Sequence, residues 1–405
     1  MGNDVASSAG EGLNRPRPAA DCHLYLVDAE GVLFCEGQQE MHALNTTASF
    51  VWLALEDGGD EASIAHELSE HFGVSPQQTR PAVGEVLRDW RQRGLLAGHE
   101  QNRPPLVRPA EDVFPIPDVP LPSSFQSERT YRMLDTSLTV YYGSAEQEEW
   151  VHPIMAHLVN DAPTRHHAEM RFAEAGEGVV LFRDGTPSYF APRISALGPA
   201  VKGHFLGLSL NQHPYLFQIH AGVVEKDGSL LILPAIAGSG KSSLTSGLLR
   251  AGWRYLSDET APLAPDTLRV RPVPLAMATK TGAWPLLQPH YPELATLRTH
   301  IREDDKHVRY LVPPASCLVP DREDGYPIRW IVFPSYHPDS KTELKPLSKV
   351  ETLRRLLAEC MSLPRHLDEP TAKRIGEWIH GIEGYELPNS NLEAAMDLIE
   401  SLRTR

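Results

Sequence analysis

The stretch Ala235-Ile236-Ala237-Gly238-Ser239-Gly240-Lys241-Ser242, followed by Ser243, has the spacing of a phosphate-binding loop: Ala or Gly, four residues, then Gly-Lys-Ser. Its flanks agree with that reading. Leu230-Leu231-Ile232-Leu233-Pro234 has the length and bulk of a buried strand, and Leu244, Leu248 and Leu249 recur along one helix face. In a strand–loop–helix unit, backbone N–H groups converge on phosphate oxygens and the helix start adds its positive end. Ala235, Gly238, Ser239, Gly240, Lys241, Ser242 and Ser243 are therefore the expected nucleotide-binding residues. Lys241 would reach the β- and γ-phosphates of ATP, and the Ser242 hydroxyl would hold Mg2+.

The rest of the composition narrows the class. A chain of 405 residues exceeds one compact core, so two or three domains are expected. Hydrophobic residues at 41% and charged residues at 22% describe an ordinary soluble protein. A formal charge of −15 argues against bulk nucleic-acid binding, which needs a basic surface. No stretch approaches a membrane span, and the first nineteen residues lack the apolar core of a signal peptide. Cys22, Cys35, Cys317 and Cys360 are scattered and form no C-x-x-C pair, which predicts reduced thiols in a cytoplasmic protein.

Prolines punctuate the chain between residues 100 and 123, at 104, 105, 109, 115, 117, 120 and 122, and predict an extended spacer. The expected organisation is a disordered N-terminus (1–19), a folded unit (20–99), a Pro-rich linker (100–128) and an α/β domain (129–405). Within 20–99, His23–Val27 and Val32–Cys35 read as a hairpin. Three helices follow, opened by Asn45 or Thr46, by Asp60 or Glu61, and by Ser75, with Trp52, Leu68, Val83 and Trp90 among their apolar positions. This is an α+β, winged-helix-like arrangement whose third helix has no basic face for a DNA groove. Downstream, 129–200 reads mostly as strands, Trp330–Pro334 as the last strand, and the tail from Leu347 as helix.

The run Leu44-Asn45-Thr46-Thr47-Ala48, then Val51-Trp52, Gly73-Val74 and Gly94-Leu95-Leu96, resembles the PqqD family. That resemblance implies recognition of the leader of a ribosomally made precursor peptide, which adds as a strand to the sheet edge and packs on the third helix.

A second constellation surrounds the glycine-rich loop. His220-Ala221-Gly222 precedes it across a hairpin, and Gly252-Trp253-Arg254-Tyr255-Leu256-Ser257-Asp258-Glu259 follows it as a short strand ending in an acid pair. Together these residues resemble the HPr kinase/phosphorylase family. The resemblance implies Asp258 as the general base toward an acceptor hydroxyl, Glu259 as support for the metal, and His220 in the γ-phosphate pocket. Two departures stand out: Ser243 replaces the family's Glu after the loop, and Glu259 replaces an Asp. No segment for docking the carrier protein HPr is recognisable, nor is one for reverse phosphorolysis.

Phosphoryl transfer asks for positioning, charge neutralisation and an oriented acid. An additional cation is expected, with Lys306 and Arg309 as candidates beside Arg271 and Lys280. The two resemblances together imply an HPr kinase-like P-loop kinase domain joined to a PqqD-like domain, using ATP and Mg2+ on a Ser or Thr of a precursor peptide. A small-molecule hydroxyl kinase and a nucleotide-gated adaptor without transfer remain open. So does the oligomeric state, with which a homo-oligomer is compatible.

Overall fold

Residues 20–99 start as a hairpin and gain a strand that the sequence pattern did not announce. β1 (Cys22–Val27), β2 (Glu30–Cys35) and β3 (Glu40–Leu44) form an antiparallel sheet in that order. α1 (Thr46–Glu56), α2 (Glu61–Phe72) and α3 (Pro76–Gln92) follow. The computed structural model describes residues 15–99, 115–160, 162–234, 238–362 and 367–404. It divides into two compact units, one within Met1–Arg108, Ser348–Leu357 and Arg365–Gly381, the other within Pro109–Leu347, Ala358–Pro364 and Ile382–Arg405.

In the first unit, helix starts follow local chemistry. Asn45 caps α1 by accepting from Ala48 N, and Asp60 forms a capping box with Ser63 at α2. The core joins Leu33, Val51, Trp52, Leu55, Ile64, Leu68, Val83, Leu87 and Trp90, with the Trp52 and Trp90 rings edge-on at 5.2 Å. The expectation of four reduced thiols needs correction. Cys22 and Cys35 are register partners at the open end of the β1–β2 hairpin, with Cα atoms 4.1 Å apart, and form a disulfide. Asp28 at φ +57° turns the hairpin and fixes the register that brings them together.

Two helices from far along the chain, Lys349–Arg355 and Glu369–His380, also belong to this unit, so the expected 129–405 domain is interrupted. Tyr25 on β1 donates to Glu369 O at 3.2 Å, and the Gln39 amide both donates to Leu367 O (2.8 Å) and accepts from Leu367 N (2.7 Å). Most of the segment expected to be disordered, 1–14, lies outside the described residues; Arg17 and Ala19 are instead tied to Ala97 and Leu95 by backbone hydrogen bonds of 2.9 Å.

The second unit opens with a five-stranded sheet, β4 (Ser127–Met133), β5 (Thr136–Tyr142), β6 (His166–Ala175), β7 (Gly178–Arg183) and β8 (Thr186–Ala191). α4 (Ala145–Met155) and α5 (Leu197–Gln212) pack on it through Val151, Met155, Leu197, Val201 and Phe205. Residues 100–114 of the expected linker lie outside the described residues, whereas Ile116 and Val119 pack against Ala173, Val180 and Phe182 rather than spanning open solvent.

The site is built on the next elements: β9 (Phe217–Ile219), β10 (Ala221–Lys226), β11 (Ser229–Pro234), α6 (Lys241–Arg250), β12 (Arg254–Ser257) and β13 (Ala261–Leu263). β14 (Met277–Lys280), β15 (His300–Ile301) and β16 (His307–Leu311) make a side sheet. β17 (Ile328–Tyr336), β18 (Lys345–Leu347), β19 (Met361–Ser362) and β20 (Glu383–Asn389) follow. The main sheet runs β12-β10-β11-β17-β20-β18, parallel where β11, β17 and β20 meet. Neither Trp330–Pro334 as last strand nor an all-helical tail is correct, because β20 lies after the one and inside the other. Its Tyr385 and Leu387 pack in the core around β11 and α6, covered by the helix Leu392–Ser401.

Candidate active site

β10 pairs antiparallel with both β11 and β12, so β11 and β12 point the same way and end at one edge of the sheet. From that edge the chain runs into the glycine-rich loop on one side and into Asp258-Glu259 on the other. Gly238 and Gly240 both take positive φ, +96° and +88°, and Gly240 is the N-cap of α6. Ala235 lies outside the described residues. Gly222 on β10 lets α6 approach: a Cβ there would stand 2.4 Å from Thr245 Oγ1.

Three of the expected side chains converge. Lys241 Nζ donates to the Asp258 backbone carbonyl at 2.7 Å and lies 4.0 Å from Asp258 Oδ1. The Ser242 hydroxyl donates to Asp258 Oδ2 at 2.7 Å. Asp258 Oδ1 and Ser239 Oγ are buried and make no hydrogen bond. Next to a glycine-rich loop, buried polar atoms without a partner are available to a ligand or an ion. Ser243 is half-buried on the first turn of α6.

Charge is arranged unevenly across the acid pair. Burial pushes the Asp258 carboxyl above the usual carboxylate range, against the pull of Lys241 and of the Ser242 hydrogen bond. Burial acts on Glu259 in the same sense. There, however, the Lys202 ammonium, which donates to Glu259 Oε1, outweighs it with help from Lys241 and His220, and the carboxyl sits below its ordinary range. The His220 imidazole is held low by burial first and by Lys241 second, though the residue keeps an exposed edge. Glu259 and His220 line a cleft of about 170 Å3 with Leu206, Leu210, Gln218 and Thr260.

The expected phosphate clamps do not join this group. Lys306 is exposed and pairs with Asp304 at 2.7 Å. Arg309 stacks over the Trp284 ring at 4.1 Å and donates to Leu294 O and Thr299 Oγ1. Arg271 is taken up by Asp135 and Asp321. Each of these three is engaged by a carboxylate or an aromatic ring, whereas the pKa of Lys280 is held low by burial first and then by neighbouring cations that include Lys306 and Lys241. The cation beside the acid pair is Lys202, which sequence reading missed. It lies on α5 among the buried Gly198, Val201, Phe205 and Ser209, and its Nζ stands 5.3 Å from the Tyr310 ring centroid. A lysine in phase with the apolar face of a helix was the available signal.

The donor set suits a hard divalent ion only in part. Ser242 Oγ, with its proton given to Asp258, leaves lone pairs free, and Asp258 Oδ1 is an unpaired carboxylate oxygen; both are the oxygen ligands Mg2+ takes together with phosphates. Glu259 is already neutralised by Lys202. No set of three or more His, Cys, Asp or Glu side chains able to hold a metal converges among the described residues.

Comparison with known proteins bears on the first unit. Residues 30–96, from β2 through the end of the helical run, match the family model described as coenzyme PQQ synthesis protein D (PqqD). This segment is a PqqD domain. No protein of curated function matches the chain. Among solved structures, TbiB1 in complex with the TbiA(beta) leader peptide is similar at 21% identity, covering 20% of this chain and 95% of its own, with a TM-score of 0.20. The HPr(Ser) kinase/phosphatase from Coxiella burnetii is similar at 12% identity, covering 46% of this chain and 96% of its own, with a TM-score of 0.23. No helix among the described residues is long and apolar enough to cross a membrane.

Proposed function

We propose that this protein is an ATP-dependent kinase that phosphorylates a Ser or Thr hydroxyl of a ribosomally made precursor peptide held by its PqqD domain. The carrying observation is the meeting of Lys241, Ser242 and Asp258 beside two unpaired buried oxygens, Asp258 Oδ1 and Ser239 Oγ. In this reading Lys241 neutralises the β- and γ-phosphates, and the loop N–H groups hold the phosphate oxygens. The acceptor oxygen bonds to the γ-phosphorus as the bond from that phosphorus to the β–γ bridging oxygen breaks, so that ADP leaves. The hydroxyl proton passes to Asp258, whose carboxyl, raised by burial, takes a proton more readily than a solvated carboxylate. Ser242 and Asp258 would hold Mg2+, which would supply neutralisation of the charge on the transferring phosphoryl group. Lys202 keeps Glu259 ionised and fixed beside the acceptor.

The PqqD domain supports a peptide acceptor. Holding the leader would raise the concentration of the acceptor residue at the active site without tight binding there. The reading also takes up the expectation of a cytoplasmic protein, where ATP and nascent precursors are available. Asp258→Asn tests it: fluorescent ATP analogue binding should stay within about threefold, while the mass gain of one phosphate on a precursor peptide disappears. Undiminished phosphorylation by Asp258→Asn would remove Asp258 from the reaction.

A further inference from the structure

The cleft next to the acid pair is built like the seat of one side chain. Its volume, about 170 Å3, is close to that of an engineered protein cavity of about 150 Å3 that admits a benzene molecule. One amino-acid side chain fits such a space. Leu206 and Leu210, one helical turn apart on α5, make an apolar wall. Across from them stand Gln218 on β9, His220, Glu259 and Thr260.

The polar side is set up for a neutral occupant. Thr260 Oγ1 donates to Gln218 Oε1 at 3.2 Å, which commits that oxygen and leaves the two Gln218 Nε2 protons without a partner among the described residues. A donor with no acceptor suits a peptide carbonyl or a hydroxyl oxygen. The Glu259 carboxylate repels an acidic side chain, and its charge is already answered by Lys202, so a second cation gains little there. Two leucines give a charged head no solvation.

We infer that the cleft bounded by Leu206, Leu210, Gln218 and Thr260 is the acceptor subsite, seating one uncharged, hydroxyl-bearing peptide side chain with its oxygen toward the Asp258–Glu259 corner. The inference rests on the kinase reading for the purpose of the seat, but the seat itself can be tested without chemistry. Leu206 is its specificity wall, since it is only partly buried, at the margin of the core beneath α5, and a larger side chain there fills the cleft.

The test uses the full-length protein and two readouts. In saturation-transfer NMR, N-acetylthreonine amide should receive saturation from the wild type, whereas N-acetylaspartate amide and uridine should not. Leu206→Trp should abolish the threonine signal while leaving the affinity for a fluorescent ATP analogue unchanged, which also certifies its fold. Leu206→Ala, the opposite change, should admit uridine. With radiolabelled ATP and the peptide Ala-Ala-Thr-Ala-Ala, Leu206→Trp should raise the peptide KM by about tenfold or more. Equal saturation of the threonine amide by wild type and Leu206→Trp, or of the threonine and aspartate amides by wild type, overturns the subsite. Selective saturation with no label on any peptide keeps the subsite and overturns the kinase reading instead.

Discussion

The two units bury different things. In the first, the core is apolar apart from hydroxyl groups such as Ser49 and Thr79, and a disulfide closes one hairpin. In the second, Lys202, Glu225, Asp258, Arg271, His213 and His300 are all less than a tenth exposed. Desolvating a charge costs several kcal/mol unless a partner repays it. Glu225 has the Gly228 N–H and Arg254, and Arg271 has two aspartates; Asp258 keeps one oxygen unpaired. Under the proposed function, the unit that holds a peptide has no use for such groups, while the unit that transfers a phosphoryl group does. The difference separates a scaffold stabilised by apolar packing from one that gives up stability to hold charges in place.

The comparison breaks most readily at Lys202. Lys202→Met leaves Glu259 facing the interior without its cation and should destabilise the second unit by about 3 kcal/mol, less than a sealed pair would lose because Glu259 keeps a quarter of its side chain exposed. Urea denaturation of the full chain should show one transition moving and the other staying. Adding Glu259→Gln to Lys202→Met removes both charges and should recover part of the loss. If the double variant is as unstable as the single, the ion pair is not the reason Lys202 matters to the fold.

The counterpart in the first unit is the crosslink. The Cys22–Cys35 separation of 13 residues closes a loop for which the chain-entropy model gives about 3 kcal/mol. Reductant, or Cys22→Ser with Cys35→Ser, should lower the melting of the first unit alone. Alkylation followed by mass measurement tells whether the bond is present in the purified protein, and a fully alkylated Cys22 would remove it.

What could be read from the sequence follows the same division. The caps at Asn45 and Asp60, the helical apolar spacing and the strand–loop–helix around Lys241 are local features, governed by residues a few positions apart, and the structure has them where the sequence pointed. β20 was hidden because the short run Tyr385-Glu386-Leu387-Pro388-Asn389 contains a proline and follows a strongly helical stretch; only its neighbour β17 makes it a strand. β3 is five residues long and buries only Leu44, so its own pattern is too short to announce a strand. Lys202 and Glu259 stand 57 residues apart, and the disulfide needs a register, so both depend on tertiary placement. Lys306 and Arg309 were chosen by charge alone, and their partners, Asp304 for the one and the Trp284 ring for the other, could not be read from the sequence.

The mildest way to sharpen the contrast is acid. His300 is 2% exposed, its ring edge-on to Trp150 and Tyr310, and burial followed by Arg298 lowers its pKa to about 4 from the ordinary 6.5. The unfolded chain therefore binds the proton first as pH falls, so the stabilisation is complete above pH 6.5 and is lost progressively between 6.5 and about 4. From pH 6.5 to 5 this one group should cost the second unit about 2 kcal/mol. His152, His157 and His213 of the same unit are also held low by burial and add to the slope. His300→Gln cannot take up a proton and should flatten part of that slope in urea midpoints measured across this range. An unchanged slope would mean that the His300 ring is already reached by water in the native state, and that its unpaired Nδ1 is satisfied there rather than sealed between the two aromatic rings.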